Sequence, residues 1–139
     1  MILKKIFYFL IIIIFKFNLA NSSDFRIVAK IGNEILTNYD VEIEKNYLLI
    51  LNPNLVSLSD NEIEKLSKNS LIRQSIKKEE VEKHINFKAN SNLGDSLIKE
   101  IMISQGFKSK SEYLIFLKKK GLSLEIFKEK LLIDRLWNS

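Results

Sequence analysis

The chain has 139 residues, no cysteine, and a formal charge of +5 from 22 Lys and Arg against 17 Asp and Glu. Three of those lysines and no acid fall in residues 1–22, so residues 23–139 carry +2, which argues against a domain that grips nucleic acid through a basic patch. Without cysteine there is no disulfide framework, and the 117 residues from Ser23 onward suffice for one domain held by its core.

Lys4 and Lys5 precede an unbroken apolar run of ten residues, Ile6 to Phe15; Lys16 ends it, and Ala20, Ser22 and Ser23 follow. This is the layout of a secretory signal peptide. A helix that spans a bilayer takes about 20 apolar residues, so the run is too short for a retained anchor unless Ile2, Leu3, Phe17 and Leu19 are recruited past the lysines. Residues 1–22 therefore read as a signal peptide. Ala20 and Ser22 form the small-x-small pair and Ser23 is the first mature residue, with cleavage after Ala20 as the second choice.

Phe25 to Ile31 reads as a strand with Ile27, Ala29 and Ile31 on one face. Gly32-Asn33 is a hairpin turn in which both residues tolerate positive φ, and Glu34 to Leu36 return as a second strand. Two strands alone are marginal, so the hairpin must lie on helices. Thr37 or Asn38 caps the first helix, whose stripe is Tyr39, Ile43, Tyr47 and Ile50, and Asn52-Pro53-Asn54 ends it. Ser59-Asp60-Asn61-Glu62 is a capping box that opens a long helix running to about Asn86. Lys88 to Asn92 reads as polar linker. Leu93, Leu97, Ile98, Ile101 and Met102 form the next stripe, closed by Gly106 as a left-handed cap. Ser109 or Ser111 opens a helix carrying Tyr113, Phe116 and Leu117, closed by Gly121, and Ser123 caps the last helix. With four Gly and one Pro in the chain, the fold class is mostly α: about five helices with a short N-terminal β-hairpin.

The last helix has two apolar faces. Leu124, Phe127 and Leu131 line one, and Ile126, Ile133 and Trp137 the other, roughly 180° away at about 100° per residue. Either the helix is sandwiched inside the fold or its second face is completed by something else. Ile126, Ile133 and Trp137 are accordingly the candidate peptide-binding residues.

No catalytic motif is legible: there is no His-x-x-x-His, no glycine-rich phosphate loop and no Gly-x-Ser-x-Gly elbow. The single histidine, His84, stands four residues after Glu80 and reads as an exposed i,i+4 neighbour, since a zinc site takes several ligands. Glu79, Glu80 and Glu82 among Lys77, Lys78 and Lys83 read as a solvated face of ion pairs. Lys118-Lys119-Lys120 read as cations placed favourably at a helix C-terminus, with an anionic-lipid or nucleic-acid contact as the sharper alternative. No catalytic residue, metal ligand or cofactor is nominated. Tyr39, Tyr47, Tyr113, Phe116, Phe127 and Trp137 sit at helical core spacing, and most of them are expected in the core.

Three blocks resemble the N-terminal region of SurA-type periplasmic chaperones, related to the PpiD and PrsA foldases. Ile31-Gly32-Asn33-Glu34-Ile35-Leu36-Thr37 followed by Asp40-Val41 resembles the family's strand, "V-N-x-E-x-I-T" hairpin and "x-x-D-V" helix start. Leu71-Ile72-Arg73-Gln74-Ser75-Ile76-Lys77-Lys78-Glu79-Glu80-Val81 resembles its "L-I-x-x-x-L-x-x-x-E-A" helix. Gly121-Leu122-Ser123-Leu124-Glu125-Ile126-Phe127-Lys128-Glu129-Lys130-Leu131 resembles "G-L-S-x-E-x-F-R-x-x-I". The resemblance spans about Ile27 to Leu136. It implies a SurA N-terminal-like domain over residues 23–139 that binds unfolded polypeptides, especially outer-membrane protein precursors, in the periplasm and without ATP.

The family normally continues into parvulin-type prolyl isomerase domains and a C-terminal segment that packs back on the N-terminal helices; this sequence has no room for a parvulin domain beside the helices already assigned, and it reads as a product truncated at the C-terminus, a fragment, or one half of a two-chain chaperone. The resemblance thus implies no isomerase chemistry in this chain. The second face of the last helix would be a docking surface for that C-terminal segment or a second chain. Two alternatives stay open: the N-terminal fragment of a peptidyl-prolyl isomerase, and a scaffold anchored to the inner membrane by an uncleaved leader.

Overall fold

The computed structural model describes residues 25–139, so the expectations for the leader lie outside the described residues. Among these the chain forms a two-stranded antiparallel hairpin, β1 (Ile27–Ile31) and β2 (Glu34–Thr37), and five helices. The helices are α1 (Asn38–Leu51), α2 (Asp60–His84), α3 (Ser91–Ser104), α4 (Lys110–Lys119) and α5 (Leu124–Trp137). The mostly helical class with its N-terminal hairpin is thus the one expected from the sequence. No helix among the described residues is long and apolar enough to cross a membrane.

The turn is tighter in its demands than expected. Gly32 alone has positive φ, +53°, and Asn33 does not. That matches the type II′ hairpin turn, in which only the first central residue needs the left-handed region. The alternation expected of β1 is broken by a bulge. Ile27 pairs with Thr37 and Ala29 with Leu36, so two residues of β1 oppose one of β2. The extra residue, Val28, turns Ile27 outward, where it is 71% exposed, and brings Val28, Ala29 and Ile31 onto the small core of Leu36, Val41 and Leu71.

The larger core joins Tyr47 and Ile50 of α1, Ile98 of α3, Tyr113 and Leu117 of α4, and Leu122, Phe127 and Leu131 around α5. Aromatic edges set its geometry: the Phe127 ring lies 5.5 Å from Tyr47 and 6.1 Å from Tyr113. Tyr39, the first residue of the α1 stripe, is a correction to the expected core. It is exposed and stacks on Phe25 at 6.4 Å, because it stands at the first turn of the helix beside the outward side of the hairpin. The expected linker is also ordered more than its polarity suggests: Phe87–Asn90 form a 3-10 turn and α3 starts at Ser91. Helix α5 runs between α2 on one side and α3 on the other, which is the sandwiched alternative for a helix with two apolar faces.

Candidate polypeptide-binding cleft

Where β2, α1, α2 and α5 converge they leave a cleft of about 190 Å³, partly open to solvent. Its apolar lining is Leu36, Ile43, Leu71, Ile126 and Ile133, with exposed Ile35 of β2 on the rim. Pockets that take whole small molecules usually measure about 300–1,000 Å³, so this cleft suits one or two side chains. β2 pairs only with β1, so among the described residues its other edge carries no strand. Unpaired main-chain N–H and C=O groups along such an edge are a template for a further strand. Lys78 of α2 and Glu129 of α5 close one side with a 2.6 Å ion pair. Burial pulls the Lys78 ammonium down, but the Glu129 hydrogen bond and the charges of Glu129, Glu34 and Glu82 outweigh it and raise it above the ordinary lysine value.

Beneath the cleft lies a polar network that ties three helices. Glu44 of α1 is 0% exposed; it accepts hydrogen bonds from Ser70 Oγ of α2 at 2.6 Å and from Lys130 Nζ of α5 at 2.7 Å. Lys130 also stands 5.6 Å from the Tyr47 ring centre. Asp134 of α5 accepts from Lys77 Nζ at 2.7 Å, from Gln74 Nε2 at 3.1 Å and from the Tyr47 hydroxyl at 3.3 Å. Burial, reinforced by the charges of Asp134 and Glu44 and by the hydrogen bond to Asp134, holds the Tyr47 hydroxyl protonated far above its ordinary range. Every charge in this network has an opposite partner, as a buried charge requires.

Of the three residues nominated from the sequence, the structure brings two together. Ile126 is half-buried and Ile133 is 3% exposed, and both line the cleft. Ile133 is therefore not the open surface expected of it, because Leu71, Gln74 and Ser75 of α2 border the same cleft and the Gln74 amide donates to the Lys130 carbonyl of α5. Trp137 is outside that lining and lies 47% exposed at the end of α5. Ile35, Glu44 and Gln74 were not singled out. Glu44 had a signal: it falls three residues after Val41 and three before Tyr47, inside the buried stripe of α1. Ile35 had a faint one: the two-residue turn sets it opposite Lys30, on the exposed side of the hairpin.

His84 is exposed and 3.4 Å from Glu80, and no group of three or more His, Asp or Glu among the described residues is arranged to hold a metal ion. Comparison with protein-family models, with curated proteins and with solved structures returned no match.

Proposed function

We propose that residues 23–139 act as a SurA-type chaperone module of the periplasm. It shelters extended segments of unfolded polypeptides, outer-membrane protein precursors among them, and needs neither ATP nor a cofactor. The observation that carries this reading is an edge of β2 that no other strand among the described residues pairs, with Ile35 and Leu36 of that strand lining a partly apolar cleft. A guest strand gains main-chain hydrogen bonds from the edge, whatever its sequence, and seats an aliphatic or aromatic side chain in the cleft. Burying one such side chain is worth about 1.5–3 kcal/mol. A single site then holds a guest only weakly, since even a millimolar complex needs about 4.1 kcal/mol. Weak, sequence-tolerant contact of this kind suits a holdase that must let go unaided. No residue of the cleft is given a role in prolyl isomerisation.

The test is aggregation of an unfolded β-barrel membrane protein, followed by light scattering with the chain in modest molar excess and no nucleotide. Suppression is expected, and Ile35→Asp, which charges the exposed rim without touching either core, weakens it several-fold. Undiminished aggregation with the unaltered chain overturns the proposal, as does full activity in the Ile35→Asp variant. Proline-peptide isomerisation in the same preparation is expected to proceed at the uncatalysed rate.

A further inference from the structure

The lysines that the polypeptide reading leaves unused stand together. Residues 87–121 hold seven lysines against three acids, a net of +4, while the rest of residues 23–139 hold twelve basic against fourteen acidic side chains, a net of −2. The positive excess thus belongs to the α3–α4 lobe. Ion pairs among the described residues engage Lys45, Lys77, Lys78, Lys83, Lys128 and Lys130, and none engages Lys118, Lys119 or Lys120.

Helix α4 carries two adjacent aliphatic side chains outside the core. It buries Tyr113 and Leu117 completely, yet leaves Leu114 39% and Ile115 59% exposed. At about 100° per residue, Leu114, Lys118, Ile115 and Lys119 share one arc, opposite Phe116, Tyr113 and Leu117. Leu114 and Lys118 run on into a shallow trough of about 510 Å³ with Leu122 and Leu124. Lysines at a helix C-terminus already favour the dipole, but that role does not call for aliphatic side chains in solvent beside them.

We propose that this outer face of α4 seats on an anionic lipid surface. Lys118 and Lys119 lie over headgroup phosphates, and Leu114 and Ile115 enter the boundary between headgroups and acyl chains. Charge complementarity names the occupant. The +4 lobe faces the anionic surface and the −2 remainder is held off it, which fixes one orientation. A helix face offers no strand edge to grip an extended chain, whereas a fluid lipid surface conforms to both the helix and the shallow trough beside it. Lysine suits the task because a compact charge on a flexible stem does not demand a set geometry.

The absence of cysteine allows a lone reporter. Ser111→Cys, on the exposed side of α4 one turn before Ile115, is labelled in the full chain with a polarity-sensitive fluorophore. Because the probe reads its own surroundings, it reports the patch even when another part of the chain holds the protein to the vesicle. A blue shift is expected with phosphatidylglycerol-containing vesicles and none with pure phosphatidylcholine. In Lys118→Gln/Lys119→Gln the patch affinity falls roughly 25-fold, at about fivefold per lysine, and the shift falls with it; Ile115→Ser reduces it further. Equal shifts on both vesicles, an undiminished shift in the double lysine variant, or a shift produced by an unfolded acidic polypeptide and not by vesicles overturns the proposal.

Discussion

Tyr113 is fully buried, and its hydroxyl has no hydrogen-bond partner. Tyr47, a neighbour in the same core, donates its own to Asp134. An unpaired buried hydroxyl costs about 1–3 kcal/mol, and removing it at constant shape recovers part of that. Tyr113→Phe is therefore expected to raise stability by about 1 kcal/mol, read from urea unfolding at neutral pH. Burial also pushes the Tyr113 hydroxyl up from 10.0 to about 12. Folding favours its neutral form, so this contribution is whole below pH 10.0 and is lost as pH climbs from there toward about 12. In alkaline unfolding series the native chain loses stability from pH 10.0 upward, and the Phe variant loses less, with Tyr47 and the raised Lys78 contributing to the remaining fall. At this scale the sequence is a partial guide. Helical spacing picks out Tyr47, Tyr113 and Phe127 as core, but spacing alone does not show that Tyr39 stays exposed against Phe25 or which hydroxyl finds a partner.

Element boundaries follow from local chemistry and are the most legible part of the fold. Thr37 caps α1 through a reciprocal pair: its N–H and Oγ1 donate to Asp40 Oδ2 at 2.8 and 2.6 Å, and the Asp40 N–H donates back to Thr37 Oγ1 at 3.3 Å. At α2 the Ser59 N–H and hydroxyl donate to Glu62, and those bonds lower the Glu62 carboxyl below its ordinary value. Gly106 and Gly121 end α3 and α4 with φ of +82° and +73°. All of these depend on residues at most a few positions apart, which is why the string of letters reveals them. The bulge at Val28 and the cover over Ile133 depend on α2, tens of residues away, and leave no local mark. Thr37→Ala is expected to cost about 1 kcal/mol. Gly32→Ala is expected to cost about 1–2 kcal/mol, from the left-handed backbone, with a Cβ also arriving 3.0 Å from the Glu79 carboxylate. Shifts of the urea midpoint at constant slope check both.

Three helices from distant parts of the chain are joined by few charges, and the whole molecule feels their loss. Glu44→Ala strips Lys130 of its partner in a buried setting, which typically costs about 3–5 kcal/mol. Set against the roughly 5–15 kcal/mol that holds an ordinary domain together, the variant is expected to melt far lower in thermal circular dichroism. Glu44→Leu paired with Lys130→Met removes both charges and is expected to recover most of that loss. If the single and double variants melt alike, the ion pair is not what ties α1, α2 and α5. The hairpin they support is short, and its brevity sets a timetable for any guest. The four residues of β2 offer a visiting chain about two outward-facing residues, given the two-residue period of a strand. So small a handhold releases by thermal motion alone, and a client that lets go at one end has time to find its own fold before it is caught again.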